Sequence, residues 1–299
     1  MSLVINHNLM ALTAARNLNN SYNALSTSTN RLSSGLRINS SADDAAGMAV
    51  SELMKADVAS LNQGVRNAND AISLIQTADG ALSVIDEKLV RMKELAEQAA
   101  TGTYTSDQRL IIDSEYQAMA SEITRIANAT DFNGIYLLNG NLSASTHNGS
   151  GATSTGKLKV HFGSGNLSAE DYYYVQINTS TASAFGLGMG ASATTTNAGR
   201  SISTQTLAQE ALDKIKSAIV SKDKIRASLG ALQNRLENTI SNLEIQAGNL
   251  TSAESQITDV DVATEMTSYV REQILTQSAV AMLSQANSLP KMALSLIQG

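Results

Sequence analysis

Few residues in this chain have the types and spacing that chemistry needs. The three histidines, His7, His147 and His161, are dispersed, and neither a His-Glu-x-x-His pair nor a Ser/His/Asp arrangement can be assembled around them. There is no cysteine, which removes thiol nucleophiles, disulfide frameworks and thiolate metal sites. Paired acids occur at Asp43-Asp44 and at Asp259 and Asp261. Carboxylates so placed could hold a divalent cation. The first pair has no nearby histidine or third carboxylate, and no loop of calcium-binding length follows the second. Both pairs read instead as helix starts, since Ser and Asp oxygens cap free N–H groups; Ser41 and Asp44 have capping-box spacing with Asp in place of Glu. Asp259 and Asp261 would also mark a joint between segments. Gly186, Gly188 and Gly190 lack the strand–turn–helix context of a phosphate loop and read as a connection. The sequence therefore assigns no catalytic, cofactor-binding or metal-ligating residue, and the chain is expected not to be an enzyme.

If no site has to be positioned, the remaining question is what the elements are for. Pro290 is the only proline in 299 residues. Proline removes a backbone donor and clashes with the preceding turn, so its scarcity permits very long helices. Aromatic residues are 4% of the chain, with no tryptophan, while Ala, Leu, Ile, Val and Met supply the apolar bulk; that inventory suits narrow helix–helix seams. The net charge of −6 argues against general nucleic-acid binding, and no segment is long and apolar enough to insert in a membrane. The first residues, MSLVINHNLM, lack the basic and apolar regions of a cleaved secretory signal, so export would need another route.

Apolar residues recur in steps of three and four at Leu61, Val65, Ala68, Ile72 and Ile75, and again at Leu82, Ile85, Leu89, Met92, Ala96 and Ala99. Gly80 between the two runs weakens a helix by about 1 kcal/mol without breaking it. A helix from about residue 44 to 100 would be ~80 Å long and needs long partners. Ile225, Leu229, Leu232, Leu236, Leu243, Ala247 and Leu250 offer one. Leu110, Ile112, Met119, Ile123 and Ile126, in a segment from about 105 to 128, offer another. At the ends, Leu18, Tyr22, Leu25, Leu32 and Leu36 form one stripe, and Val262, Met266, Val270, Ile274, Met282, Ala286 and Leu289 a looser one. Residues 1–40 carry Arg16, Arg31 and Arg37 and no acid, a charge of +3; residues 257–299 carry −2. Opposite signs favour pairing of the ends, within or between subunits, although each exposed pair adds only about 0–1 kcal/mol. Pro290 is expected to bend or end the last helix.

The middle differs. Residues 141–156 and 190–204 are rich in Ser, Thr, Gly, Asn and Ala and read as loops. Between them, Leu158, Val160 and Phe162 alternate with Lys157, Lys159 and His161, and Tyr173, Val175 and Ile177 form a second alternating run, predicting one β-hairpin region. Phe132-Asn133-Gly134 is a turn signal before it. The predicted fold is mainly α: an elongated antiparallel helical bundle or coiled coil from both chain ends, with a small β-hairpin region in the middle. Its expected divisions are 1–43 plus 256–299 as a terminal coiled coil, 44–140 plus 203–255 as a bundle, and 141–202 as hairpin and loops belonging to the bundle.

Several segments carry a family resemblance. INHNLMALTAARNLN (5–19), RLSSGLRINSSADDAAGMAVSE (31–52), NQGVRNANDAISLIQTADGAL (62–82), RMKELAEQAA (91–100) and TDFNGIYLLNG (130–140) lie in the first half. LGALQNRLENTISNL (229–243), ITDVDVATEMTSYVREQIL (257–275) and MLSQANSLPKMALSLIQG (282–299) lie in the second. In this order they resemble bacterial flagellin, over about 1–140 and 203–299. The short middle resembles a minimal member without large outer domains.

The resemblance implies a structural subunit of the flagellar filament, secreted through the flagellar type III route and extracellular. Polymerisation seams would include Leu18, Tyr22, Leu25, Leu32, Leu36, Val270, Ile274 and Leu289. Implied partners are further copies of the chain, an export chaperone on the C-terminal segment, and the filament cap and hook-junction proteins. Toll-like receptor 5 is a further implied partner, at Arg91, Leu95, Gln98 and Glu115; the first three share a helix face by spacing. O-glycosylation, found in some relatives, would fall on Ser143, Ser145, Thr146, Thr153, Ser154, Thr194, Thr195 or Thr196. The competing readings are a hook–filament junction protein and an adhesin or host-interaction protein acting through the middle loops.

Overall fold

The computed structural model describes residues 8–143, 156–167, 170–187 and 199–298, apart from the side chains of 289, 291 and 293–298. It bears out a mainly α fold with a small β region. The helices are α1 (Leu9–Ser34), α2 (Ala45–Ala100), α3 (Ser106–Ala129), α4 (Gln205–Thr258) and α5 (Val262–Gln298). Two strand pairs lie between α3 and α4: β1 (Asp131–Phe132) with β2 (Ile135–Tyr136), and β3 (Leu158–His161) with β4 (Tyr172–Val175). The chain forms two compact units, one of residues 1–58 and 248–299, the other of residues 59–247.

Helix ends follow local chemistry. Asn8 caps α1, its side chain accepting from Ala11 N at 3.0 Å, and Gly35 ends it in the left-handed region at φ 74°. Asp44, not Ser41, caps α2: its Oδ1 accepts from Gly47 N at 2.9 Å. Asp43 serves the preceding turn, accepting from the backbone N–H groups of Asn39 and Ser40. Thr105 and Gln108 form a complete capping box on α3. Asp261 starts α5 by accepting from the N–H groups of Ala263 and Thr264. Pro290 lies inside α5 and does not end it, so that part of the sequence expectation is corrected.

In the second unit, α2 presents Ala68, Ile75, Leu82, Leu89 and Met92 to one core, with Gly80 inside the unbroken helix. α4 meets this core through Ile215, Ile225, Leu229 and Leu236. α3 contributes Ile112, Tyr116 and Ile123, whereas Leu110 is 56% exposed and drops out of the expected stripe. Three side chains of α3 hold the chain entering α4. Asp113 accepts from Ile202 N at 2.7 Å, Tyr116 O–H donates to the Gly199 carbonyl at 2.8 Å, and Gln117 donates to the Arg200 carbonyl.

The strands sit on the same core through Val160 and Val175. β3 and β4 pair from Leu158↔Val175 to His161↔Tyr172, as the alternation predicts. β1 and β2 were not foreseen as strands. Asn133 and Gly134 take φ 52° and 80°, the two consecutive left-handed residues of a type I′ turn, and so close a hairpin where the sequence reading placed only a turn.

Candidate assembly surface

The first unit is where the terminal segments meet. α1 packs along α5. On α1 the less exposed positions include Ala11, Ala14, Leu18, Ser21, Leu25, Ser28 and Leu32, a three/four repeat, flanked by Ala15, Ala24 and Arg31. On α5 they include Glu265, Ser268, Tyr269, Glu272, Thr276, Ala279, Leu283 and Ala286. Small and polar groups thus fill much of the contact. Ser28 Oγ donates to Glu265 Oε1 at 2.5 Å, and Arg31 Nη1 stands 3.8 Å from Glu265 Oε2. The opposite charges of the two ends meet at that pair. Asn8 Nδ2 donates to the Ala286 carbonyl at 2.8 Å, closing the far end.

Several larger apolar side chains of α5 point elsewhere. Val262, Met266, Val270 and Ile274, spaced four apart, are 56%, 45%, 44% and 57% exposed. By sequence these residues are a stripe for pairing within or between subunits; the contact with α1 uses the adjacent face. The structure therefore places Leu18, Leu25, Leu32 and Leu36 among half-buried positions and leaves Tyr22, Val270 and Ile274 uncovered. The side chain of Leu289 lies outside the described residues. Between α1 and α5 a groove of about 710 Å³ opens, lined by Leu9, Met10, Ala14, Leu275, Ala279 and Met282 among others.

The connections α1–α2 and α4–α5 are clasped together. Arg37 N donates to the Thr258 carbonyl at 2.6 Å and Val260 N to the Gly35 carbonyl at 3.1 Å, with Leu36 and Asp259 bridged antiparallel. Arg37 Nη2 also reaches the Ile257 carbonyl at 2.6 Å. Asp43 is held below the usual carboxylate range chiefly by the N–H groups of Ser40 and Asn39. Asp261 is held low first by the Thr264 hydroxyl, then by the N–H groups of Thr264 and Ala263.

Of the residues implied as receptor contacts, Arg91 and Glu115 meet. The guanidinium reaches Glu115 Oε1 through Nε at 3.0 Å and Nη2 at 2.8 Å, and Glu94 through Nη1 at 3.0 Å. Glu115, then Glu94, raise the Arg91 pKa above its ordinary value. Gln98 is exposed and donates to Tyr104 Oη at 3.0 Å. Leu95 shares their helix but is 2% exposed, in the core. Of the glycosylation candidates, Ser143 donates to the Gly140 carbonyl at 2.6 Å. Ser145, Thr146, Thr153, Ser154, Thr194, Thr195 and Thr196 lie outside the described residues, as do His7 and His147.

Sequence reasoning missed Lys222. It sits in the three/four stripe of α4 between Ala218 and Ile225, 2% exposed, where only apolar residues were sought.

Residues 5–143 match the model of the bacterial flagellin N-terminal helical region, and residues 212–297 that of the bacterial flagellin C-terminal helical region. A flagellin of Halalkalibacterium halodurans is 40% identical over 296 residues, covering 99% of this chain and 100% of that protein. Flagellin FlaB2 of Treponema pallidum is 39% identical over the same shares of both chains. Among solved structures, the crystal structure of Bacillus cereus flagellin matches at 27% identity with a TM-score of 0.46, over 63% of this chain and 94% of that one.

Proposed function

The chain belongs to the bacterial flagellin family, and from that membership we infer that the uncovered stripe of α5 and the groove beside it are seams along which copies join. It is a structural protein that polymerises into the bacterial flagellar filament and serves motility. The observation that carries the seam is the placing of Val262, Met266, Val270 and Ile274, large apolar groups left uncovered while Glu265, Ser268, Glu272 and Thr276 face the covered side. Burying such a stripe contributes about 25 cal/mol per Å² before ordering costs. Residues 1–43 with 256–299 form the inner layer of the filament in this reading, and 44–140 with 203–255 the layer around it, to which 141–202 belong. Elongation from filament seeds tests it. A chain lacking residues 282–299 should fail to elongate while the unfolding transition of the second unit persists; normal elongation would refute the role of the end.

The monomer leaves the cell by the flagellar export route, held by a chaperone at its C-terminal segment, and adds beneath a cap beyond the hook-junction proteins. Membership of the family supports this reading of the partners. Toll-like receptor 5 would read the exposed Arg91–Glu115 pair and Gln98, with Leu95 supporting them from below. Monomer should then activate the receptor more than cross-linked filament does, and equal activity would overturn this reading. Sugars on the Ser/Thr-rich middle would raise the intact mass of the native subunit above that of the sequence.

A further inference from the structure

Among the described residues, the methionines differ widely in exposure. Met92 is fully buried in the core of the second unit, and Met119 is partly buried against it. Met10 and Met282 are 51% and 64% exposed and both line the groove between α1 and α5. Met266 and Met292 are exposed as well but do not line it. A thioether is an adaptable apolar filler, suited to a seam that must accept another chain. Its oxidation to the sulfoxide produces a polar, chiral group, and exposure governs its susceptibility.

We propose that Met10 and Met282 form an oxidation site that controls assembly: a hydroperoxide converts them to sulfoxides in the free subunit, and the altered groove no longer accepts a second copy. A sulfur lone pair attacks one peroxide oxygen, an S–O bond forms and the O–O bond breaks. The sulfur is oxidised by two electrons. The departing oxygen takes up the proton of the transferred one and leaves as water when the oxidant is hydrogen peroxide. Each sulfoxide oxygen is an acceptor that the apolar Leu9, Ala14, Leu275 and Ala279 side chains cannot satisfy. It must turn to water or to the polar side of the groove, at Thr13, Asn17 or Ser278, so covering it against the apolar wall with a second copy opposes joining. A copy already seated in the groove would shield both sulfurs, so free subunits are oxidised and assembled ones spared. The proposal rests on the reading of the groove as a seam between copies.

The test treats full-length monomer with hydrogen peroxide and follows each methionine by peptide mass spectrometry. Met10 and Met282 should convert at least ~10-fold faster than Met92, and methionine sulfoxide reductase should reverse the change. The comparison is made in a Met266→Leu background, which removes the exposed sulfur of the uncovered stripe. There, oxidised protein should lose elongation from untreated seeds, whereas adding Met10→Leu and Met282→Leu should leave elongation after peroxide at that protein's own untreated rate. Normal elongation by the oxidised Met266→Leu protein would overturn the proposal. So would equal loss in the treated protein that also carries Met10→Leu and Met282→Leu. Leu275→Asp without peroxide separates the two readings. If it elongates normally, the groove is not a seam; if it fails while the oxidised Met266→Leu protein elongates, only the oxidation proposal falls.

Discussion

Lys222 Nζ lies 2.5 Å from Asp86 Oδ1, pinning a core position of α4 to α2. Asp223 Oδ1 stands 2.8 Å from the same nitrogen, and one helical turn on, Arg226 grips Asp79 through two bonds of 2.7 and 3.1 Å. A charge at a stripe position fixes register more than it adds stability, because removing it from water offsets most of the attraction. Asp86→Ala should cost about 1–3 kcal/mol, less than for a fully buried pair because Asp223 remains. Lys222→Met should change stability by no more than about 1 kcal/mol in either direction. Urea midpoints of the monomer decide. If the methionine variant is the more damaged, the ion pair stabilises the fold outright.

Gly64 and Gly80 are both interior to α2 and should answer substitution with opposite signs. A Cβ at Gly80 meets nothing within 4 Å, so Gly80→Ala should stabilise by about 0.5–1 kcal/mol through helix propensity. A Cβ at Gly64 would fall on the backbone carbonyl of Phe162, just past β3. There the hairpin must move, and Gly64→Ala should destabilise by about 1–3 kcal/mol despite the better helix former. Unfolding of the two variants beside wild type measures both.

The contrast between those glycines indicates what the sequence could carry. Three/four spacing made α4 legible, and α2 across Gly80, because one weak residue cannot outweigh about fifteen turns of consistent pattern. It did not reveal Gly64 as a point of close approach, since nothing local marks a contact 98 positions away at Phe162. Lys222 was invisible because a period search counts only apolar residues. β1 and β2, at two residues each, are too short to alternate. On α5 the Val262–Ile274 run was legible as an apolar stripe, but periodicity cannot say which of two adjacent faces meets α1 and which stays uncovered. Spacing likewise put Arg91, Leu95 and Gln98 on one side of α2 without telling that Leu95 turns into the core.

The clasp between the two connections should loosen in acid over a defined window. Asp43 and Asp261 have folded pKa values below the ordinary 3.8, so their carboxylates contribute fully above that value. The contribution is lost as pH falls through the lower folded values, and no loosening from these two groups is expected near pH 6. Carboxyl NMR titration should place both midpoints below 3.8. Asp261→Asn keeps a side-chain oxygen for the Ala263 and Thr264 N–H groups and should remove that residue's share of the acid dependence. A variant that loosens at the same pH as wild type would assign the acid response to other groups.

Ile274 and Gln273 are neighbours on α5, both exposed, and only the first belongs to the uncovered stripe. Neither contributes much to the fold of the free subunit, so Ile274→Asp and Gln273→Asp should unfold like wild type. Assembly should separate them. Ile274→Asp removes about 1.5–3 kcal/mol of apolar burial at each seam and sets an unpaired carboxylate there, so the critical concentration for elongation should rise at least ~10-fold. Gln273→Asp adds the same charge off the stripe and should shift it by less than ~3-fold, since exposed charges interact weakly. Elongation from seeds at graded monomer concentrations measures both values. Equal shifts would mean that charge, not loss of the stripe, governs joining, and the seam would have to be sought on another face of α5.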